Sequence, residues 1–132
     1  MPVHIRFDGD VVVLSNFARL MNDPRYVDAA REVGEMIEQG SRQFVIDLTG
    51  FRETGASFLG VLMTITRRIR QGRGEVVLAH PSREMEQFLL GEMRMEEFWD
   101  IFPSVAEALA FYRDRDRAGG GEEETTWESG ST

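Results

Sequence analysis

The residues of this chain best suited to chemistry lie between Asp47 and Gly60, where a carboxylate and a serine flank a short loop that contains glycine. The run Gln43-Phe44-Val45-Ile46-Asp47-Leu48 reads as a strand buried on both faces and ends on Thr49-Gly50. Gly50 to Ala56 has two glycines and no apolar period, so it reads as a loop. It delivers Ser57 to the start of a strong helical pattern. A hydroxyl at that place can serve as an N-cap, worth about 1 kcal/mol.

Several other kinds of chemistry lack their parts. Gly55 to Gly60 has the spacing of a phosphate-cradling loop, but Val61-Leu62 stands where lysine and a hydroxyl residue should follow. Gly72 and Gly74 give a fragment of a dinucleotide fingerprint, without its third glycine, and precede a strand instead of following one. His4 and His80 lie far apart in the chain and read as strand-end residues, with no metal set around them. The acidic residues fall mostly on helix faces, where solvation explains them. No catalytic residue, metal site or cofactor is expected.

The elements that must position Ser57 are legible from periodicity. Val3, Ile5 and Phe7 alternate with polar residues, Asp8-Gly9 makes a tight turn, and Val11 to Leu14 resumes a strand: a hairpin. Asn22 or Asp23 caps a helix with Pro24 in its first turn, Tyr26, Ala30, Val33 and Ile37 on its inner face, and Gly40 at its end. After the loop, Phe58, Leu62, Ile65 and Ile69 share a helix face, and Arg67, Arg68 and Arg70 suit its C-terminal end. Glu75 to Ala79 is a strand. Pro81-Ser82 opens a helix with Met85, Phe88 and Leu89 inward, and Phe98 to Phe102 is a short strand. Ser104 and Glu107 form a capping box for a last helix with Val105, Ala108, Leu109 and Tyr112 inward. The alternating charges from Arg113 to Arg117 read as a solvated, fraying end.

This order predicts an α/β domain with a mostly parallel central sheet, an N-terminal antiparallel hairpin and about four helices. The expected division is a domain over 1–116 and a disordered acidic tail over 117–132. Within the tail, Trp127 reads either as incidental or as a short docking element.

Bulk composition narrows the function. The chain has 132 residues, 42% of them hydrophobic, which suits one domain with a real core. Its net charge of −8, half of it from Glu122, Glu123, Glu124 and Glu128, argues against general nucleic-acid binding. The absence of cysteine excludes disulfides and thiolate chemistry. The longest apolar runs are too short to span a membrane, and no secretion signal is legible, so a cytoplasmic location is expected.

The chain resembles the STAS domains of the anti-sigma factor antagonists. Those domains typically end a buried strand in Asp-Leu-Ser-Gly and open the next helix with Asp-Ser-Ser-Gly-Leu-Gly. This chain has Asp47-Leu48-Thr49-Gly50 and then Thr54-Gly55-Ala56-Ser57-Phe58-Leu59-Gly60, with no gap between the halves. The resemblance runs from the first strand to Tyr112 and includes Phe102-Pro103-Ser104-Val105-Ala106-Glu107-Ala108-Leu109. The departures are Gly55, Ala56 and Phe58, which replace the family's aspartate, first serine and glycine, and the unrecognisable segment around Asn16-Phe17-Ala18.

The resemblance implies a STAS-like fold and a binding module in place of an enzyme. It implies that Ser57 is the phosphorylated residue and that Arg52, Glu53, Thr54, Gly55, Ala56, Ser57 and Phe58 meet the partner. That partner would be an anti-sigma factor with serine kinase activity, which supplies the ATP and the catalysis. Thr49 and Thr54 are substitute acceptors, and Phe58 has a second reading as core packed with Leu62. The alternatives are a STAS-like scaffold, or a subunit of a signalling or transporter complex, that is never phosphorylated. An enzyme or small-ligand carrier would need a pocket of convergent polar groups beside Ser57. A homodimer stays open.

Overall fold

The computed structural model describes residues 4–16, 27–51 and 54–125. Alternation at the N-terminus produces β1 (His4–Asp8), paired antiparallel with β2 (Val11–Ser15) from Asp8 opposite Val11 out to His4 opposite Ser15. The two-residue turn is Gly9-Asp10, one position later than expected. The expected cap and first turn at Asn22, Asp23, Pro24 and Tyr26 lie outside the described residues, as does Val3. The first helix, α1, spans Val27–Glu38 and buries Ala29, Val33, Met36 and Ile37, so its inner face includes Ala29 in place of Ala30. Gly40 ends it, its N–H donating to the Ile37 carbonyl at 3.0 Å.

Next come β3 (Gln43–Asp47), helix α2 (Ala56–Gln71) and β4 (Glu75–Ala79). Helix α3 (Arg83–Glu86) is capped by the Ser82 hydroxyl, which accepts from the Met85 N–H at 3.0 Å, and runs on as a π-helical segment, Gln87–Glu92. The last strand and helix are β5 (Ile101–Phe102) and α4 (Val105–Thr125). The sheet is five-stranded in the order β1-β2-β3-β4-β5, parallel from β2 onward and antiparallel at the β1 edge.

This sheet is covered on both faces, which explains why Val11 to Leu14 are all buried. Val12, Leu14, Phe44, Ile46, Val76 and Leu78 pack with α1, α2 and α3. Val11, Val13, Val45, Val77 and Ala79 pack with Ala108, Leu109 and Tyr112 of α4. Tyr112 is fully buried and its hydroxyl donates to the Phe44 carbonyl at 3.0 Å, fixing α4 to the middle of the sheet.

Two expectations are corrected. The strand expected over Phe98 to Phe102 is only Ile101–Phe102, because Trp99 turns into the core and donates its indole N–H to the buried Thr66 hydroxyl at 3.0 Å. Phe98 sits in the turn before it, edge-on to Trp99, with its N–H on the Met95 carbonyl. The charged run from Arg113 is not loose: Arg113 pairs with Asp8 at 4.0 Å, Arg115 with Glu75, and Asp116 accepts from Gln43 at 2.9 Å. These contacts lash α4 to β1, β4 and β3. The backbone helix of α4 runs on through Gly119-Gly120-Gly121 to Thr125, while Trp127 lies outside the described residues.

Candidate functional site

The site is built where β3 leaves the sheet. Leu48 is buried and its N–H donates to the Ala79 carbonyl at 2.9 Å, so the chain stays tied to β4 for one residue beyond the strand. Asp47 then shapes the exit, its Oδ1 accepting from the Thr49 N–H at 3.0 Å and from the Thr49 hydroxyl at 2.5 Å. This is an Asx-type turn, in which a side chain stands in for a backbone acceptor. It engages the Thr49 hydroxyl. The Phe51 N–H donates to the Leu48 carbonyl at 3.0 Å and carries the Phe51 ring into the core, where it is 2% exposed.

Arg52 and Glu53 lie outside the described residues. Thr54 is exposed. Gly55 is the N-cap of α2, with φ 126° and ψ −178°, a region only glycine enters readily. Its carbonyl accepts the first helical N–H, that of Leu59, at 3.0 Å. Among the described residues no side chain caps this end, and no acidic residue stands in its first turn.

Ser57 is therefore the second helical residue, not the N-cap, and its side chain is exposed. Phe58, placed among the docking residues by the family resemblance, points inward: it is 2% exposed and its ring centroid lies 4.6 Å from that of Phe51. The reason is helical phase. Phe58 heads the ridge Leu62, Ile65 and Ile69, each at most 1% exposed, so the same rotation that buries Phe58 turns Ser57 outward. The surface thus offers the hydroxyls of Thr54 and Ser57 and the backbone of Gly55. Sequence reading missed Phe51, an isolated aromatic in an otherwise loop-like stretch, whose only signal was that a lone large apolar residue beside a buried strand needs a core.

The first turn of α2 leaves the N–H groups of Ala56, Ser57 and Phe58 without helical acceptors and exposes the positive end of the helix dipole. An anion on the Ser57 oxygen would be accommodated there. His4, on β1, and His80, just past the end of β4, are exposed at the same end of the sheet with β2 and β3 between them, and no group of three potential metal ligands occurs among the described residues. A cavity of about 670 Å³, lined by Phe7, Asp10, Arg42, Gln43, Arg73 and Glu75, lies at the opposite end, where β3 and β4 begin. No helix of the described residues is long and apolar enough to cross a membrane.

The sequence model of the STAS domain matches residues 25–108, which include β3, the loop, α2, β4 and the start of α4. The chain belongs to the STAS domain family. An anti-sigma factor antagonist STAS domain protein from Planctomyces limnophilus aligns with 82% of this chain and 95% of its own, at 22% identity and a TM-score of 0.65. The unphosphorylated form of the anti-sigma factor antagonist SpoIIAA aligns over 85% and 96%, at 16% identity and 0.66. The protein TM1081 of Thermotoga maritima aligns over 83% and 86%, at 20% identity and 0.68. At these identities the likeness is one of fold. A comparison with curated protein sequences finds no match.

Proposed function

We propose that this STAS domain is a non-enzymatic partner-switching module of the anti-sigma factor antagonist kind. It binds a kinase-type anti-sigma factor in the cytoplasm and is released by phosphorylation of Ser57. The observation that carries this reading is the exposed Ser57 side chain in the first turn of α2, between two residues fixed in the core, Phe51 before it and Phe58 after it. The names of its structural neighbours point the same way.

The physics of the switch is local. A phosphate adds about −1.5 to −2 charges at neutral pH. Its own helix N-terminus tolerates that charge. A partner surface fitted to an uncharged hydroxyl does not. Some 3 kcal/mol of lost complementarity weakens affinity about a hundredfold, which exchanges partners with no refolding. The docking surface is Arg52 to Ser57, with Phe58 acting beneath it as a support. The ATP and the phosphoryl-transfer chemistry belong to the partner.

The test is incubation with a cognate kinase and ATP, followed by mass spectrometry of the peptide containing Ser57 and by binding measurements on Ser57→Glu. Phosphate on Ser57 and about hundredfold weaker binding of the variant are expected. A second reading, a STAS scaffold or complex subunit never phosphorylated, is favoured by the absence of any acidic residue from the first turn. It predicts a complex indifferent to ATP and to Ser57→Glu.

A further inference from the structure

A groove far from Ser57 fits a segment that this chain itself carries. It lies between the C-terminal half of α2 and the turn before β5, has a volume of about 380 Å³, and is lined by Met63, Arg67, Arg70, Gln71 and Phe98. Its floor is apolar and its charged lining residues are both arginines. Arg67 is exposed and makes no ion pair among the described residues. Arg70 donates to the Phe98 carbonyl at 2.5 Å and lies 4.6 Å from the centre of that ring, which leaves other guanidinium N–H groups for a carboxylate. An apolar floor under two cations calls for an acidic segment with an aromatic anchor.

Glu122-Glu123-Glu124-Thr125-Thr126-Trp127-Glu128 is such a segment. We propose that this acidic tail docks on its own domain, with Trp127 against Met63 and Phe98 and its glutamates against Arg67 and Arg70. The geometry of α4 permits it. Arg115 of α4 lines a second cavity, of about 290 Å³, that shares Arg70 and Phe98 with the groove. The helix therefore passes beside the groove before the tail begins. Trp127 lies ten positions beyond Arg117, a reach of up to about 33 Å when extended.

The hinge is Gly119-Gly120-Gly121. The helical course of α4 runs through these residues, and each glycine costs about 1 kcal/mol relative to alanine in a helix. Among the described side chains of α4, the last to touch the sheet is Asp116, which accepts from Gln43. Breaking the helix at the glycines relieves that cost, and tethering raises the tail's effective concentration to the millimolar range. Groove and tail are independent of Ser57, so this inference stands apart from the phosphorylation reading.

The chain has no cysteine, so Ser129→Cys gives a unique spin-label site on the full-length protein. At low salt the label is expected to abolish most of the amide signal intensity of Met63, Arg67, Gln71 and Phe98. The loss should disappear on Trp127→Ala, on Arg67→Glu and at high salt, while the remaining spectrum stays that of the folded domain. Combining Arg67→Glu with Glu122→Lys, Glu123→Lys and Glu124→Lys should restore it. Broadening confined to α4, or spread evenly over the surface, overturns the proposal. So does broadening that appears when labelled chains are mixed with unlabelled ¹⁵N chains, since that means docking on a second copy.

Discussion

The ring centroids of Phe51 and Phe58 lie 4.6 Å apart, with the planes tilted by 39°, and each residue is 2% exposed. One belongs to the exit from β3 and the other to the first turn of α2, so the pair closes the base of the loop between them. Replacing Phe58 by alanine is expected to cost about 3–5 kcal/mol in urea unfolding, as for other buried phenylalanines. The Phe51→Ala, Phe58→Ala cycle should show a coupling of about 0.5–1.5 kcal/mol. Ser57→Ala, which removes an exposed hydroxyl that caps nothing, should stay within about 0.5 kcal/mol of wild type. A large loss for Ser57→Ala would mean that its side chain is structural.

Two glycines of α2 should respond to alanine with opposite signs. At Gly55 an added Cβ would meet nothing within 4 Å, yet φ is +126°. The cost there is purely conformational, about 1–3 kcal/mol. Gly60 is exposed inside the helix, again with open space around it, and its backbone is already helical. Gly60→Ala should therefore stabilise by about 0.5–1 kcal/mol. Paired urea titrations decide it, and equal effects at the two sites would contradict the backbone assignment.

Thr66 and Trp99 form a buried hydrogen bond that spans 33 residues of sequence. Thr66→Val keeps the shape but leaves the indole N–H without an acceptor in a site from which water is excluded. The expected loss is about 1–3 kcal/mol. Replacing Trp99 by phenylalanine in that background removes the stranded donor and should recover part of the hydrogen-bond component. Strict additivity in the thermal or urea cycle would mean that the bond does not form.

The hairpin, the buried strands β3 and β4 and the helix that presents Ser57 were legible, the hairpin's first strand by alternation, the buried strands by short apolar runs and the helix by its period. Phe58, Leu62, Ile65 and Ile69 are a clean helical ridge, and all four are buried. Reading failed where a residue's partner lies far along the chain. Trp99 was assigned to a strand because its neighbours are apolar, whereas Thr66 draws it into the core. Arg113, Arg115 and Asp116 look like a solvated charge run until Asp8, Glu75 and Gln43 are brought beside them. Phe58 held two readings because the family motif marks its position as surface, while the helical phase marks it as core. Phase decided.

Tyr112 gives the fold a pH dependence that can be isolated. Burial, the largest influence, pushes its phenol well above the usual range, against the opposing effect of the bond to the Phe44 carbonyl. The folded protein therefore keeps the phenolic proton at a pH where the unfolded chain releases it. Below the unfolded value of about 10 this contribution to stability is complete. As pH rises through that value the unfolded state binds fewer protons than the native state, and stability falls with a slope approaching about 1.4 kcal/mol per pH unit. Urea midpoints measured from pH 8 to 11 should decline more steeply for wild type than for Tyr112→Phe. At pH 8 the variant should be less stable by about 1 kcal/mol, the worth of the lost hydrogen bond. Its deficit should then shrink as the wild type loses stability, and parallel curves would place the Tyr112 hydroxyl in contact with solvent.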